Sequence, residues 1–146
     1  MNVVQILFTT ILPWIELRGA IPLAVASSFE SYVPLIILVN ILLFFPVWIG
    51  LEIFYKHLNR WSFIRRIVNR IHDKGKRYVN NYGPIGIAIF VAIPLPGSGV
   101  YSGTLLAWLL GLEWKKSFIA CSLGVLTAGI LVYLMSTGAL LIFNNL

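Results

Sequence analysis

Two charged side chains, Glu16 and Arg18, lie near the N-terminus in a stretch that carries no other charge between Val3 and Ala26. An ionisable residue at membrane depth costs about 2.5–3.5 kcal/mol even on the insertion scale, so such a residue in an apolar segment indicates a functional site. Arg18 can offer a planar fork of donors to a phosphate or a carboxylate, whereas Glu16 can carry a proton or pair with Arg18. The pair therefore predicts a substrate site inside the membrane.

The backbone around these charges contains residues that interrupt helices. Pro13, Gly19 and Pro22 predict two short apolar arms on either side of a broken tip at 14–23. In lipid, a broken backbone is tolerated only where protein or a water-filled cavity satisfies its N–H and C=O groups. We therefore expect a re-entrant hairpin here.

A second tip of the same kind is predicted at 92–99, and the tetrapeptide Ala-Ile-Pro-Leu occurs in both tips, at 20–23 and 92–95. The Gly-Ser-Gly that closes the second tip would begin a helical arm, and a helix N-terminus with glycines favours an anion. The predicted substrate-binding residues belong to the two tips: Glu16, Arg18, Gly19, Pro22, Pro94, Pro96, Gly97, Ser98 and Gly99.

The composition is that of an integral membrane protein. Of the 146 residues, 59% are hydrophobic and 11% are charged, whereas soluble domains carry about 25% charged residues. We expect a multi-pass protein of the cell membrane. The sole cysteine, Cys121, excludes an intramolecular disulfide. No metal site, cofactor or nucleic-acid partner is expected, because the histidines lack clustered partners and the basic residues adjoin apolar spans.

Two long apolar segments can cross a bilayer. Val33–Tyr55 is the clearest span, with a kink expected at Pro46 and an inter-helix hydrogen bond expected from Asn40. Ser117–Phe143 is the second span. Between them, 56–82 holds eight of the eleven Lys and Arg, and its apolar residues recur at three- and four-residue steps. This pattern predicts a basic amphipathic helix lying in the membrane surface.

Two topologies fit the apolar segments. If all four cross the membrane, the basic segments 56–82 and Lys115–Lys116 fall on opposite sides. If the first and third are re-entrant, both fall on the cytoplasmic side, as the positive-inside tendency requires, and we choose this topology. The fold class is then an all-α integral membrane protein. Two re-entrant helical hairpins and two transmembrane helices form an inverted repeat, with one basic amphipathic interfacial helix. The single membrane domain, 1–146, divides into 1–55, the basic segment and 83–146.

The sequences ELRGAIP at 16–22 and PLPGSG at 94–99 resemble the family of predicted small multidrug export proteins. More remotely, they resemble the DedA (SNARE-associated, VTT-domain) membrane proteins. The resemblance implies two facing hairpins and a transport role, with Glu16 and Arg18 as the hairpin acid and base. The DedA relatives further imply lipid-phosphate carriers as substrates. This sequence departs from that group in having no charge between 83 and 112.

The leading hypothesis is a DedA-like transporter that moves a small amphiphilic or lipid-phosphate-like substrate by alternating access at the two tips. It would be proton-coupled if Glu16 carries a proton. One alternative is a small multidrug exporter, in which Glu16 beside Trp14 would bind a hydrophobic cation. Another, from a different class, is a non-transporting scaffold or lipid-binding protein that recruits anionic lipid through its basic helix. The pair Glu16–Arg18 would then only fix the tip in place.

Small residues recur at four-residue steps in the last two apolar segments, a pattern that lets helix backbones approach closely. These positions are Gly99, Gly103, Ala107 and Gly111, followed by Ala120, Gly124 and Ala128. Packing, either between helices or between subunits, is the expected use of both stripes. Because two hairpins and two spans leave backbone in need of cover, we expect a homodimer in the bilayer. No enzymatic activity is expected, since no nucleophile–base pair of recognised spacing is present.

Overall fold

A computed structural model of the chain describes residues 3–58, 62–94 and 98–144, and these residues form helices and turns without a strand. The predicted site residues Pro96 and Gly97 lie outside the described residues. The helices follow one another as α1 (Val3–Ile11), α2 (Glu16–Ala26), a 3-10 turn (Glu30–Tyr32), α3 (Val33–Leu42), α4 (Phe44–Leu58), α5 (Ser62–Ala92), α6 (Val100–Leu109) and α7 (Trp114–Asn144).

The first hairpin turns earlier than its sequence predicts. Helix α1 ends at Ile11, four residues containing Pro13 form the turn, and α2 then runs without interruption through Gly19 and Pro22. The expectation that these last two residues break the helix is wrong. A proline removes one N–H bond and crowds one carbonyl, and here α2 continues past that loss. The turn is completed by Glu16, whose φ of 48° lies in the left-handed region.

The first long apolar segment is divided at Leu43, between α3 and α4. The division agrees with the kink expected at Pro46, because the proline ring crowds the carbonyl four residues earlier, at Leu42. Asn40 differs from expectation. Its side chain is fully buried, and neither its amide nitrogen nor its carbonyl oxygen has a hydrogen-bond partner in the described part of the chain.

Within the described residues, two stretches are long and apolar enough to cross a membrane, Glu30–His57 and Trp114–Ile142. By contrast, α1, α2 and α6 contain 9, 11 and 10 residues. At 1.5 Å per residue these helices are about 14–17 Å long, roughly half of the ~30 Å hydrocarbon core. Many large apolar side chains on the long helices are exposed, among them Ile53, Ile130 and Leu134. This exposure is expected for a surface that faces lipid.

Helix α5 continues across the predicted boundary between 82 and 83. One helix, Ser62–Ala92, contains much of the basic segment and also the apolar residues from 83 onward that form the first arm of the second hairpin. Arg65, Arg66 and Arg70 are exposed on its first half. Its second half packs against α6 and against α7, and α5 and α7 form the most extensive helix pair.

The small-residue stripes pack inside the chain. A Cβ added at Gly103 would overlap Val91 of α5, and one added at Gly124 would lie 2.6 Å from the same valine and 2.7 Å from the Ala88 carbonyl. Val91 therefore fills a space that only glycine leaves open on α6 and α7. Gly111 has a different task, since its φ of 74° ends α6 in a left-handed turn. The homodimer stays a prediction, and its interface would have to use surfaces other than these small-residue faces, which are covered within the chain.

Candidate functional site

The two charged residues of the first hairpin lie where it meets the second. Glu16 is the first residue of α2 and Arg18 the third, so both side chains leave the helix at its N-terminal turn. There they contact the C-terminal end of α5 and the N-terminal end of α6. The side chains are 6% and 12% exposed, respectively. The pair thus joins two hairpins that are distant in sequence.

The carboxylate of Glu16 occupies the N-terminus of α6. One oxygen accepts a hydrogen bond from Arg18 Nη1 at 2.9 Å, and the other lies 3.5 Å from the backbone nitrogen of Tyr101. The backbone of Val100 also donates to this carboxylate. The approach is so close that a Cβ added at Gly99 would overlap it. An acid at this position satisfies N–H groups that a helix leaves unpaired and is stabilised by the helix dipole.

Arg18 binds the opposite kind of helix end. Its Nη2 lies 3.1 Å from the Val91 carbonyl and 3.0 Å from the Ile93 carbonyl, at the C-terminus of α5. The same nitrogen lies 3.1 Å from the Ser98 carbonyl and 3.0 Å from the Ser98 hydroxyl. The hydroxyl in turn donates to the Ile93 oxygen at 2.7 Å. A cation is favoured here because the last carbonyls of a helix carry partial negative charge.

The pair therefore holds the second hairpin on both sides of its tip, with the acid at the start of α6 and the base at the end of α5. Each charge is compensated by the other and by backbone groups. The anion that the N-terminus of α6 was predicted to attract is supplied by the protein itself, as Glu16. The carboxylate of Glu16 and both Nη groups of Arg18 are engaged, whereas Arg18 Nε is buried without a partner in the described part of the chain. A cation that approaches Glu16 would therefore have to replace Arg18. Both the structural and the functional interpretation of the pair are compatible with this geometry.

Two cavities adjoin this pair, and Arg18 lines both. The larger, of about 490 Å³, is an apolar groove between α2 and the C-terminal half of α7. The smaller, of about 300 Å³, lies at the tip of the first hairpin. The groove is lined by Arg18, Pro22, Val25, Ala26, Pro94, Val132, Met135, Ser136, Ala139 and Leu140. The tip cavity is lined by Pro13, Trp14, Ile15, Glu16, Arg18, Gly19 and Pro94.

The structure brings most of the predicted residues together. Glu16, Arg18, Ser98 and Gly99 are in contact through the interactions above, and Pro94 lines both cavities with Arg18. The other two described predictions contribute differently. Gly19 lines the tip cavity, where an added Cβ would overlap Ile15 of the same hairpin, and Pro22 lines only the groove.

Several contributors escaped the sequence analysis. Tyr101 donates its hydroxyl proton to the Ile11 carbonyl at the end of α1, so it ties α6 to the first hairpin. A tyrosine near the start of an apolar arm was the available signal, since a buried Tyr hydroxyl usually has a partner. Met135 and Ser136 come from the C-terminal half of a long span, and only the packing of α7 against α2 places them in the groove.

Comparison with known proteins gives one match. No match was found among curated proteins, and none was found among solved structures. One family profile matches residues 16–131, a range that includes the first tip from Glu16 onward, the second tip and the helices between them. The DedA likeness is not among these findings and stays an expectation. Since the match covers most of the chain and includes the Glu16–Arg18 pair and the helix ends that hold it, the chain belongs to the family described as "Putative small multi-drug export protein".

Proposed function

We propose that this membrane protein exports small amphiphilic molecules and that the substrate passes the Glu16–Arg18 pair. One observation carries the proposal: Arg18 and Pro94 line both the apolar groove and the tip cavity. The two residues form a shared wall between two open spaces. A shift of either hairpin tip would close one space or open the other, which is what alternating access requires.

The lining of the groove favours an amphiphile. Its walls are almost entirely apolar, while Arg18 and the Ser136 hydroxyl are its polar contributions. Ligand sites of this kind are mostly apolar with a few placed polar groups. The tip cavity instead presents Glu16 together with the indole of Trp14, which is 91% exposed. A carboxylate beside an aromatic face suits a lipophilic cation.

A cationic substrate would act by exchange. Glu16 is held by Arg18 and by the N-terminus of α6, so an arriving cation replaces the guanidinium while the α6 backbone keeps the carboxylate in place. Arg18 keeps its hydrogen bonds to the carbonyls at the end of α5 and to Ser98. The family description, which names multi-drug export, supports this substrate class over a lipid phosphate.

The helix pairing supports an inverted repeat as the scaffold for this exchange. Helix α2 packs against α7, the long helix of the second half, and α6 packs against α4 of the first half. The second arm of each hairpin, α2 or α6, thus contacts the span of the other half. This pairing and the short length of α2 and α6 support the proposal that both hairpins are re-entrant and that the two halves form an inverted repeat. Transporters built from such repeats place their sites at the meeting point of broken helices.

Transport in proteoliposomes tests the proposal. The purified protein would be reconstituted, and movement of ethidium, a fluorescent lipophilic cation, would be measured with and without an imposed pH gradient. We expect Glu16→Gln to lower the rate at least tenfold, because the amide cannot replace the carboxylate for a cation. The matched control is Glu113→Gln, since Glu113 forms an exposed ion pair with Lys116 at 3.4 Å. This control should transport like the wild type.

Two outcomes would contradict export of a cation. If Arg18→Gln abolishes movement of a fluorescent alkyl phosphate while Glu16→Gln leaves both substrates unaffected, the lipid-phosphate alternative is correct. If no substrate moves and function in cells instead depends on charge reversal at Arg65, Arg66 and Arg70, the protein is a scaffold. Each rate is normalised to the monodisperse protein recovered, so that a folding defect is not scored as a transport defect.

A further inference from the structure

A second apolar groove lies away from the Glu16–Arg18 pair, on the face that α5 and α7 present together. Its volume is about 380 Å³, and it is lined by Pro84, Ile85, Ala88, Ile89, Lys116, Ile119, Ala120 and Leu123. The groove follows α7 from Lys116 to Leu123, about 10 Å at 1.5 Å per residue. None of its residues lines either cavity of the proposed transport site.

The large side chains that wall this groove are left uncovered by the described part of the chain. Ile85, Ile89, Ile119 and Leu123 are 55–59% exposed. The groove exists because two of its lining residues, Ala88 and Ala120, are small where their neighbours are large. The groove is elongated, with large aliphatic side chains along its sides and alanines at its base. This shape fits a single hydrocarbon chain.

One end of the groove is cationic. Among the described residues, Lys116 is its only charged lining residue, and Lys115 precedes it in the first turn of α7. Trp114, which begins the helix, is 49% exposed, and the Lys115 ammonium lies 5.8 Å from its ring centroid. Trp and Lys together are typical of the level of lipid headgroups.

We propose that this groove is a binding site for an anionic phospholipid, with one acyl chain between α5 and α7 and the headgroup phosphate at Lys116 and Lys115. Lys116 also pairs with Glu113, but both side chains are more than half exposed, so the pair contributes little and can yield to a phosphate. A second copy of this chain is the less suitable occupant, because the chain carries a net charge of +6 and would bring like charge.

The site would connect lipid composition to the second hairpin. Helix α5 provides one wall of the groove at 84–89, and one turn later its carbonyls at Val91 and Ile93 hold Arg18. A lipid bound between α5 and α7 would stabilise the position of α5, whose C-terminal carbonyls accept hydrogen bonds from Arg18. Anionic lipid should therefore stabilise the folded protein as any ligand of the native state does.

Thermal unfolding in detergent tests the proposal. The purified protein would be titrated with dioleoyl phosphatidylglycerol, with dioleoyl phosphatidylcholine and with glycerol phosphate. We expect the melting temperature to rise with phosphatidylglycerol only. Lys116→Gln should weaken the apparent affinity about fivefold, and Lys115→Gln/Lys116→Gln about 25-fold, at the ~1 kcal/mol that each basic residue contributes near an anionic surface. The matched control is Lys56→Gln, an exposed lysine at the end of α4.

A second variant, Ala88→Leu, tests the acyl chain by filling the floor of the groove. It should reduce lipid binding even though both lysines remain, and native mass spectrometry should count fewer retained phosphatidylglycerol molecules per protomer. Equal stabilisation by both lipids, or an effect of glycerol phosphate equal to that of the lipid, would overturn the proposal. So would a dimer that forms without lipid and is lost in Ala88→Leu, because a second copy would then be the occupant.

Discussion

Replacing Gly99 by alanine removes the space that the Glu16 carboxylate occupies. The backbone of Gly99 has φ −85°, which any residue adopts, so the substitution creates no backbone strain. An added Cβ would overlap both carboxylate oxygens of Glu16. The carboxylate must therefore leave the N-terminus of α6, and the ion pair with Arg18, 2.9 Å long, must break or move with it.

The expected cost follows from the two interactions that this displacement disrupts. Separating a buried ion pair costs about 3–5 kcal/mol, and removing a capping acid from a helix N-terminus costs about 0.5–2 kcal/mol. The displaced carboxylate can move into the tip cavity, which it already lines, so its charge regains some water. We therefore expect a total loss of about 3 kcal/mol, or a fall in melting temperature on the order of 10 °C for a chain of this size.

Thermal unfolding of the purified variant in detergent measures this loss, and Gly86→Ala provides the control. Gly86 lies in α5, and nothing is found within 4 Å of a Cβ added there, so alanine should be neutral or slightly stabilising. A second variant, Gly99→Ala/Glu16→Asp, shortens the acid by one methylene and should recover part of the stability. If Gly99→Ala melts like the control, the carboxylate does not occupy the start of α6, and the proposed coupling of the hairpins is wrong.

Two further predictions concern buried polar groups. Glu16→Gln and Arg18→Gln should each lower the free energy of unfolding. In a double-mutant cycle, the loss in the double variant should be smaller than the sum of the two single losses by at least about 1 kcal/mol. Additive losses would mean that the two charges act separately. Asn40→Leu, of similar volume, should be neutral or stabilising by about 1–2 kcal/mol, because it removes a buried amide without a partner in the described part of the chain. A melting temperature below that of the wild type would indicate that Asn40 has a partner after all.

Much of the architecture could be predicted from the pattern of apolar residues. The two spans and the short helices α1, α2 and α6 follow from segment length and from Pro and Gly, as does the division near Pro46. The first arm of the second hairpin does not, because it is the end of the 31-residue helix α5. The position of the first turn could not be predicted, because three helix-disrupting residues compete there and only Pro13 ends a helix. Helix propensity disfavours all three residues, and the packing of α2 against α7 decides in favour of a continuous helix through Gly19 and Pro22.

The sequence by itself determined that this protein belongs in a membrane and that Glu16 and Arg18 are its unusual residues, because burying charge in an apolar segment is costly wherever it occurs. Only the tertiary structure decided what the two charges contact. Every helix has unpaired carbonyls at its end and unpaired N–H groups at its start, as α5 and α6 do here. Because these are backbone groups, the residue types do not show which of them the charges will contact. Folding brings those two helix ends to Glu16 and Arg18, and so places Arg18 where it lines two cavities.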